Sequence, residues 1–317
     1  MAAIDETGAR ALQERIEGIV ARVDGSIGVA VKELAGGVEV LVNADELYPT
    51  ASVMKVPILF ELYRQAEAGT VDLDRRVEFT REHLVPGSGV LQDLAFGLQP
   101  TVKDLATLMI TVSDNAATDM VLDIIGVDAL AQTLRDLGLE RTTLPMSVRQ
   151  LLYSMVGMDP ANPEHTYDLF VERAKAGQID WDSRALAEQD NNLTTPREMN
   201  RLLENIERRE TLGEDSCAAM IDIMKRQKYT NRIPLHLPPG TPVAHKTGSL
   251  RGVRNDAGIV YAPDGPYLLS LFSKRLGDQV AGALALAEIS KVTWEALVGP
   301  IPAPRYGPDP AAEAHVA

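Results

Sequence analysis

The chain is short of several things. It holds one cysteine, Cys217, so no intramolecular disulfide can form and cysteine pairing says nothing of redox compartment. That thiol lies in Asp215-Ser216-Cys217-Ala218-Ala219-Met220 and reads as a small packing residue on a helix. Aromatic residues make up 5% of the sequence, so aliphatic side chains must supply most of a core. Basic residues are outnumbered, 31 against 45 acidic, giving a formal net charge of −14. An acidic surface is repelled by phosphate backbones and anionic lipid, which argues against nucleic-acid and membrane partners. No stretch approaches the roughly 20 apolar residues of a membrane span. The first residues, Met1-Ala2-Ala3-Ile4-Asp5-Glu6, show neither a basic start nor an apolar run. This predicts a cytoplasmic protein, a secreted mature form being the alternative. The five histidines (His83, His165, His236, His245, His315) make no HExxH pattern or other close ligand pair, so neither metal nor cofactor is expected.

What is present is an ordinary globular composition, 45% hydrophobic and 24% charged over 317 residues, enough for one large domain or two interleaved ones. Apolar residues at Leu12, Ile16, Ile19, Val20 and Val23 predict a helix from about Thr7 to Val23. Ser26 to Leu34 and Val38 to Val42, separated by Ala35-Gly36-Gly37, predict a hairpin. Helical stretches follow at Val53–Ala68, Val102–Val112, Ala116–Ile125 and Ala129–Leu137, and the helical section runs to Leu203. Strands return at Val243–Thr247, Ala257–Tyr261 and Tyr267–Ser273, before a closing helix at Asp278–Leu297. The expected fold is α/β of the α+β kind, an antiparallel sheet built from both ends of the chain, flanked by terminal helices, with an all-helical subdomain inserted. The boundaries are 1–50 with 205–300 for the sheet subdomain, 51–204 for the helical one, and 301–317 for a poorly ordered tail. Catalytic clefts favour such seams.

Three short motifs carry chemistry. In Ser52-Val53-Met54-Lys55 the two polar residues stand one helical turn apart, so the lysine amine can approach the serine hydroxyl. A serine needs a neighbouring base to attack, and a lysine neutralised by burial can serve. Ser113-Asp114-Asn115 follows an apolar run and offers a second hydroxyl. Lys246-Thr247-Gly248, followed by Ser249, lies on a strand-like run whose edge can bind an extended acyl substrate, with Gly248 permitting close approach. Taken singly, each motif reads better as a helix cap or a strand end, and only the set points to chemistry.

In this order, with about sixty residues between Ser52 and Ser113, the set resembles the signature of the class A β-lactamases and related penicillin-binding proteins. Pro86-Gly87-Ser88-Gly89-Val90-Leu91 is similar to that family's loop on the cleft wall. Leu193-Thr194-Thr195-Pro196-Arg197-Glu198-Met199 is similar to the segment leaving its Ω-loop, and Asn231-Arg232-Ile233 to the site of its carboxylate-steadying arginine. The resemblance spans roughly Ser26 to Leu297. It implies a serine hydrolase that cleaves a lactam or amide bond through an acyl-enzyme on Ser52. Lys55 would take or relay the serine proton, and Ser113, helped by Lys246, would protonate the leaving nitrogen. Asn115 would fix lysine or substrate. Thr247, Gly248, Ser249 and Arg232 would receive a small molecule carrying the amide or lactam and a carboxylate. Two other functions stay open: an amidase, peptidase or esterase of this fold with little β-lactam turnover, and a non-catalytic binding protein.

The chain departs from the family in one place. The stretch between Ser113 and Pro196 is longer than usual, with the excess at 144–192, where the family places a glutamate that activates water to release the acyl group. One literal Glu-x-x-x-Asn match exists there, Glu188-Gln189-Asp190-Asn191-Asn192, making Glu188 the candidate deacylating base. Alternatively, Asn192 replaces the aspartate that closes the loop, and no glutamate falls at the base position. Glu164 and Glu172 are further candidates. The enlarged segment, with Met155, Met158, Tyr167, Phe170 and Trp181, would form either a lid or extra surface helices.

Overall fold

The computed structural model describes residues 4–180 and 182–301. Trp181 and, beyond Ile301, the tail expected to be poorly ordered lie outside the described residues.

Helix α1 (Glu6–Val20) is capped by Asp5, whose carboxylate accepts from Gly8 N at 2.8 Å, and it buries Leu12, Ile16 and Ile19 along one face. Strands β1 (Ser26–Glu33) and β2 (Glu39–Val42) form the expected hairpin. The chain then makes a two-residue strand β3 (Tyr48–Pro49), a 3₁₀ turn at Ala51–Met54, and helix α2 (Lys55–Glu67). The helical block continues with α3 (Val102–Thr111), α4 (Asn115–Ile125), α5 (Val127–Asp136), α6 (Val148–Ser154) and α7 (Tyr167–Lys175). Strand β4 (Leu193–Thr194) pairs antiparallel with β3, a contact with no periodicity to announce it. Helices α8 (Pro196–Arg208) and α9 (Glu214–Lys225) lead into β5 (Val243–Leu250), β6 (Val253–Ala262), β7 (Gly265–Lys274) and α10 (Gln279–Leu297).

The main sheet runs β2-β1-β7-β6-β5, antiparallel throughout. Strand β1 pairs with β7 over its whole length, from Ser26 opposite Lys274 to Glu33 opposite Tyr267, so the two chain ends share one sheet as expected. The run Tyr267–Phe272 is apolar on both sides apart from Ser270, because both faces of the sheet are covered. Tyr267, Leu269 and Leu271 pack with α1 and α10, whereas Leu268 and Phe272 join the core of the helical block.

The boundary expected at 204 falls inside α8, which lies on β1, β6 and β7. Beyond it, α9 packs on α2, α3 and β5, so the helical layer regains a member after the boundary. The enlarged segment contributes α6 and α7. Tyr153 of α6 stacks on Phe170 of α7, and α7 is tied to the segment 81–92 by Arg81, which pairs with Asp168 at 2.7 Å, and by Tyr167, which donates to Gln92 at 3.3 Å.

Candidate active site

The turn Ala51–Met54 delivers Ser52 to a cavity of about 430 Å³ at the seam between helices and sheet. Ala51, just before it, is held at φ 45°, a left-handed conformation costing a non-glycine residue roughly 1–2 kcal/mol. The buried carboxamide of Asn255, on β6, fixes this turn. Its Nδ2 donates to Pro49 O at 2.8 Å and Thr50 O at 3.1 Å, while its Oδ1 accepts from Ser273 N at 2.9 Å. Gly248 of β5 packs against the same turn. A Cβ there would stand 2.8 Å from Thr50 O and 3.1 Å from Ala51 Cβ, so only glycine lets strand and nucleophile approach this closely.

Lys55 opens α2 and is completely buried. Its Nζ donates to Ser113 O at 2.8 Å and to Asn115 Oδ1 at 2.8 Å, and lies 3.1 Å from Ser113 Oγ. Asn115 is in turn fixed through Nδ2 to Pro86 O at 2.8 Å. Ser113 also adopts a left-handed backbone, φ 57°, and its hydroxyl lies 3.1 Å from Lys246 Nζ. One hydroxyl thus sits between two buried amines, and among the described residues no carboxylate hydrogen-bonds either amine. Desolvation lowers the Lys55 pKa to about 7, against the opposing fields of Asp114 and Asp119. Lys246 is pushed well below the usual amine range, first by burial and next by the charge of Lys55.

Asp114, central to its motif, does not face the amines as a ligand. Its carboxylate caps α4 through Ala117 N at 2.9 Å and accepts from Val90 N and Leu91 N at 2.6 and 2.9 Å. It therefore fastens the loop 86–91 to the site. Ser88 of that loop donates to Ser113 O at 2.7 Å, and Gly87 and Ser88 line the cavity.

The far rim is cationic. Arg232 donates to Gly248 O at 2.9 Å and to Ser249 Oγ at 2.6 Å, and burial lowers its pKa to about 10, leaving it charged at neutral pH. Arg232, Arg254, Thr247 and Ser249 all line the cavity. The opposite wall is apolar, made of Met54, Val148, Leu151 and Leu152.

Nine of the ten expected site residues, Ser52, Lys55, Ser113, Asn115, Lys246, Thr247, Gly248, Ser249 and Arg232, come together here. Glu188 does not. Its carboxylate pairs with Arg275, with Lys274 at 3.6 Å, and lines two separate depressions, so the structure corrects the reading of it as the deacylating base. Of the three candidate acids, Glu188, Glu164 and Glu172, none lines the cavity. Sequence reasoning missed Asn255 and Arg254. The only signal for Asn255 was a polar pair, Asn255-Asp256, interrupting an apolar strand pattern.

A serine on a strained turn, two depressed amines sharing a hydroxyl and a cationic rim define a serine hydrolase working by acyl transfer. The chain belongs to the β-lactamase enzyme family, whose description matches residues 11–297. Among curated relatives it is 26% identical over 297 residues to the β-lactamase VEB-1 of Pseudomonas aeruginosa, covering 88% of each chain. It is 29% identical to a β-lactamase of Bacillus licheniformis, covering 86% of this chain and 80% of that one. Among solved structures, a β-lactamase from Sphaerobacter thermophilus superposes with a TM-score of 0.75 at 28% identity, covering 94% of this chain and all of that one. PBP-A superposes equally well, at 27% identity, with 90% and 95% covered.

Proposed function

We propose that the protein opens the amide bond of a β-lactam, or of a small amide of similar shape bearing a carboxylate, by acylating Ser52. The observation that supports this most is Ser113 Oγ, held 3.1 Å from each of two buried amines in the cavity that Ser52 lines. Near neutral pH a substantial fraction of Lys55 is unprotonated and can accept the Ser52 proton. The Ser52 oxygen then attacks the carbonyl carbon, and charge developing on the carbonyl oxygen is met by the backbone amides of Ser52 and Ser249. Ser113 donates its proton to the departing nitrogen and is recharged from an adjacent amine. Arg232, Arg254, Thr247 and Ser249 hold the substrate carboxylate, while Val148, Leu151 and Leu152 face its acyl substituent. An acidic protein still binds an anion here because the cavity rim is cationic and, among the described lining residues, carboxylate-free.

The test is intact mass after mixing with excess chromogenic cephalosporin, quenched in acid at increasing times. The expected result is an adduct of the opened lactam on the wild type, absent from Ser52→Ala, with loss of chromophore. Equal labelling of both proteins, or none of either, overturns the reading.

A further inference from the structure

Release of the acyl group needs a proton acceptor for the attacking water, and the cavity restricts the choice. Among its described lining residues there is no aspartate or glutamate. The enlarged segment supplies only Val148, Leu151 and Leu152 to the wall. That wall is fastened in place. Asn192 holds Met146 through both main-chain groups, at 3.0 and 2.9 Å, and its own carbonyl accepts from Thr50 N at 2.8 Å beside the nucleophile turn. The acids nearest Lys55 are already committed to backbone amides. Asp119 caps α6 through Val148 N and Arg149 N at 2.7 and 2.9 Å, and Asp114 caps α4 while holding Val90 and Leu91. Glu198 accepts from Arg141 N at 2.9 Å and Thr142 Oγ1 at 2.6 Å.

Among the hydroxyls lining the cavity, that of Ser113 is the one within hydrogen-bond distance of the buried amines, with Lys55 behind it. A neutral Lys55 can donate to Ser113 O and Asn115 Oδ1 and still accept from Ser113 Oγ, which in turn accepts from Lys246. We propose that Ser113, backed by Lys55, is the base for deacylation, so that one hydroxyl–amine pair serves both halves of the reaction. This rests on Ser52 forming the acyl-enzyme. In the step, water loses a proton to Ser113 Oγ as Ser113 passes its own to Lys55 Nζ. The water oxygen bonds to the ester carbon and the bond from that carbon to Ser52 Oγ breaks. The proton returns through Ser113 to Ser52, and the product acid ionises into solvent. The charged and titratable groups facing Lys55 are Asp114 and Asp119 from α4 and Lys246 from β5, with Ser113 between.

The experiment loads the wild type with benzylpenicillin, removes the excess, and follows adduct decay by acid-quenched intact mass from pH 5 to 9. Ser113→Ala is loaded for longer and treated alike, with its thermal melting recorded. The expected wild-type decay accelerates with pH and levels off above neutrality. In Ser113→Ala it is about a hundredfold slower, the ordinary worth of a placed base, with melting unchanged. Decay flat from pH 5 to 8 indicates a carboxylate base and overturns the proposal, as does wild-type decay in Ser113→Ala. Decay rising without a plateau to pH 9 indicates hydroxide and overturns it too. Those outcomes leave the Ser52 acyl-enzyme standing, whereas absence of any wild-type adduct overturns that reading and this one with it.

Discussion

The two sides of the cleft are built on opposite plans. The inner side is a polar lattice of hydrogen bonds between side chains and main chain: Lys55 to Ser113 O, Asn115 to Pro86 O, Arg232 to Gly248 O, and Asn255 to the Ser52 turn. The outer side is a sheet of aliphatic carbon, Val148, Leu151 and Leu152, positioned by packing and by a helix cap. Directional groups must sit within a fraction of an ångström of their partners to do chemistry. Apolar groups need only be of suitable volume and near the right place. The two sides should therefore respond very differently to substitution.

The largest effect belongs to the inner side. Lys55→Met removes the amine and should slow adduct formation about a thousandfold at pH 8, measured by stopped-flow with a chromogenic cephalosporin. The wild-type rate should carry the signature of that amine. Burial depresses its pKa to about 7, so the active neutral form is lost as pH falls through that value and is complete above it. The rate should accordingly drop by about tenfold per pH unit below 6. A rate that falls only below pH 5 would transfer the role to a carboxylate.

Gly248→Ala comes next. Its Cβ would push on Thr50 O and Ala51 Cβ, shifting the turn that carries Ser52. About a 10- to 100-fold loss of acylation rate is expected, with a modest drop in melting temperature. On the outer side, Leu152→Ala should raise KM about fivefold for β-lactams with apolar acyl groups and leave kcat nearly unchanged. A large fall in kcat would show the wall to be as directional as the floor. Smallest of all is Glu188→Gln, at a half-exposed ion pair outside the cleft. Acylation and adduct decay should match the wild type, and stability should change by less than about 1 kcal/mol.

The same contrast explains what could be read from the sequence. The inner side was legible because acyl transfer prescribes residue identity: Ser52 with Lys55, Ser113 with Asn115, Lys246 with Thr247. Strand and helix positions followed from periodicity, and a sheet shared by both chain ends from the order of those elements, though not which strands pair. The outer side was not legible, since leucines at helical spacing in 144–192 look like any core. Glu188 misled because a Glu-x-x-x-Asn spacing occurs by chance, while the residues that claim its carboxylate, Lys274 and Arg275, lie nearly ninety positions away. Asn192 and Asn255 act on main-chain groups of distant segments, and backbone partners leave no trace in a residue pattern.

The fastening of the Ser52 turn by Asn255 and Gly248 has a consequence for synthesis. The nucleophile emerges from the ribosome early, but the strands that hold its turn come about two hundred residues later. A nascent chain stopped before β5 carries Ser52 and Lys55 without Lys246, Arg232's strand partner, or the pin on Thr50. Reactivity toward an acylating probe should then switch on only as β6 clears the tunnel. Labelling of stalled chains of graded length would report the moment at which the sheet closes.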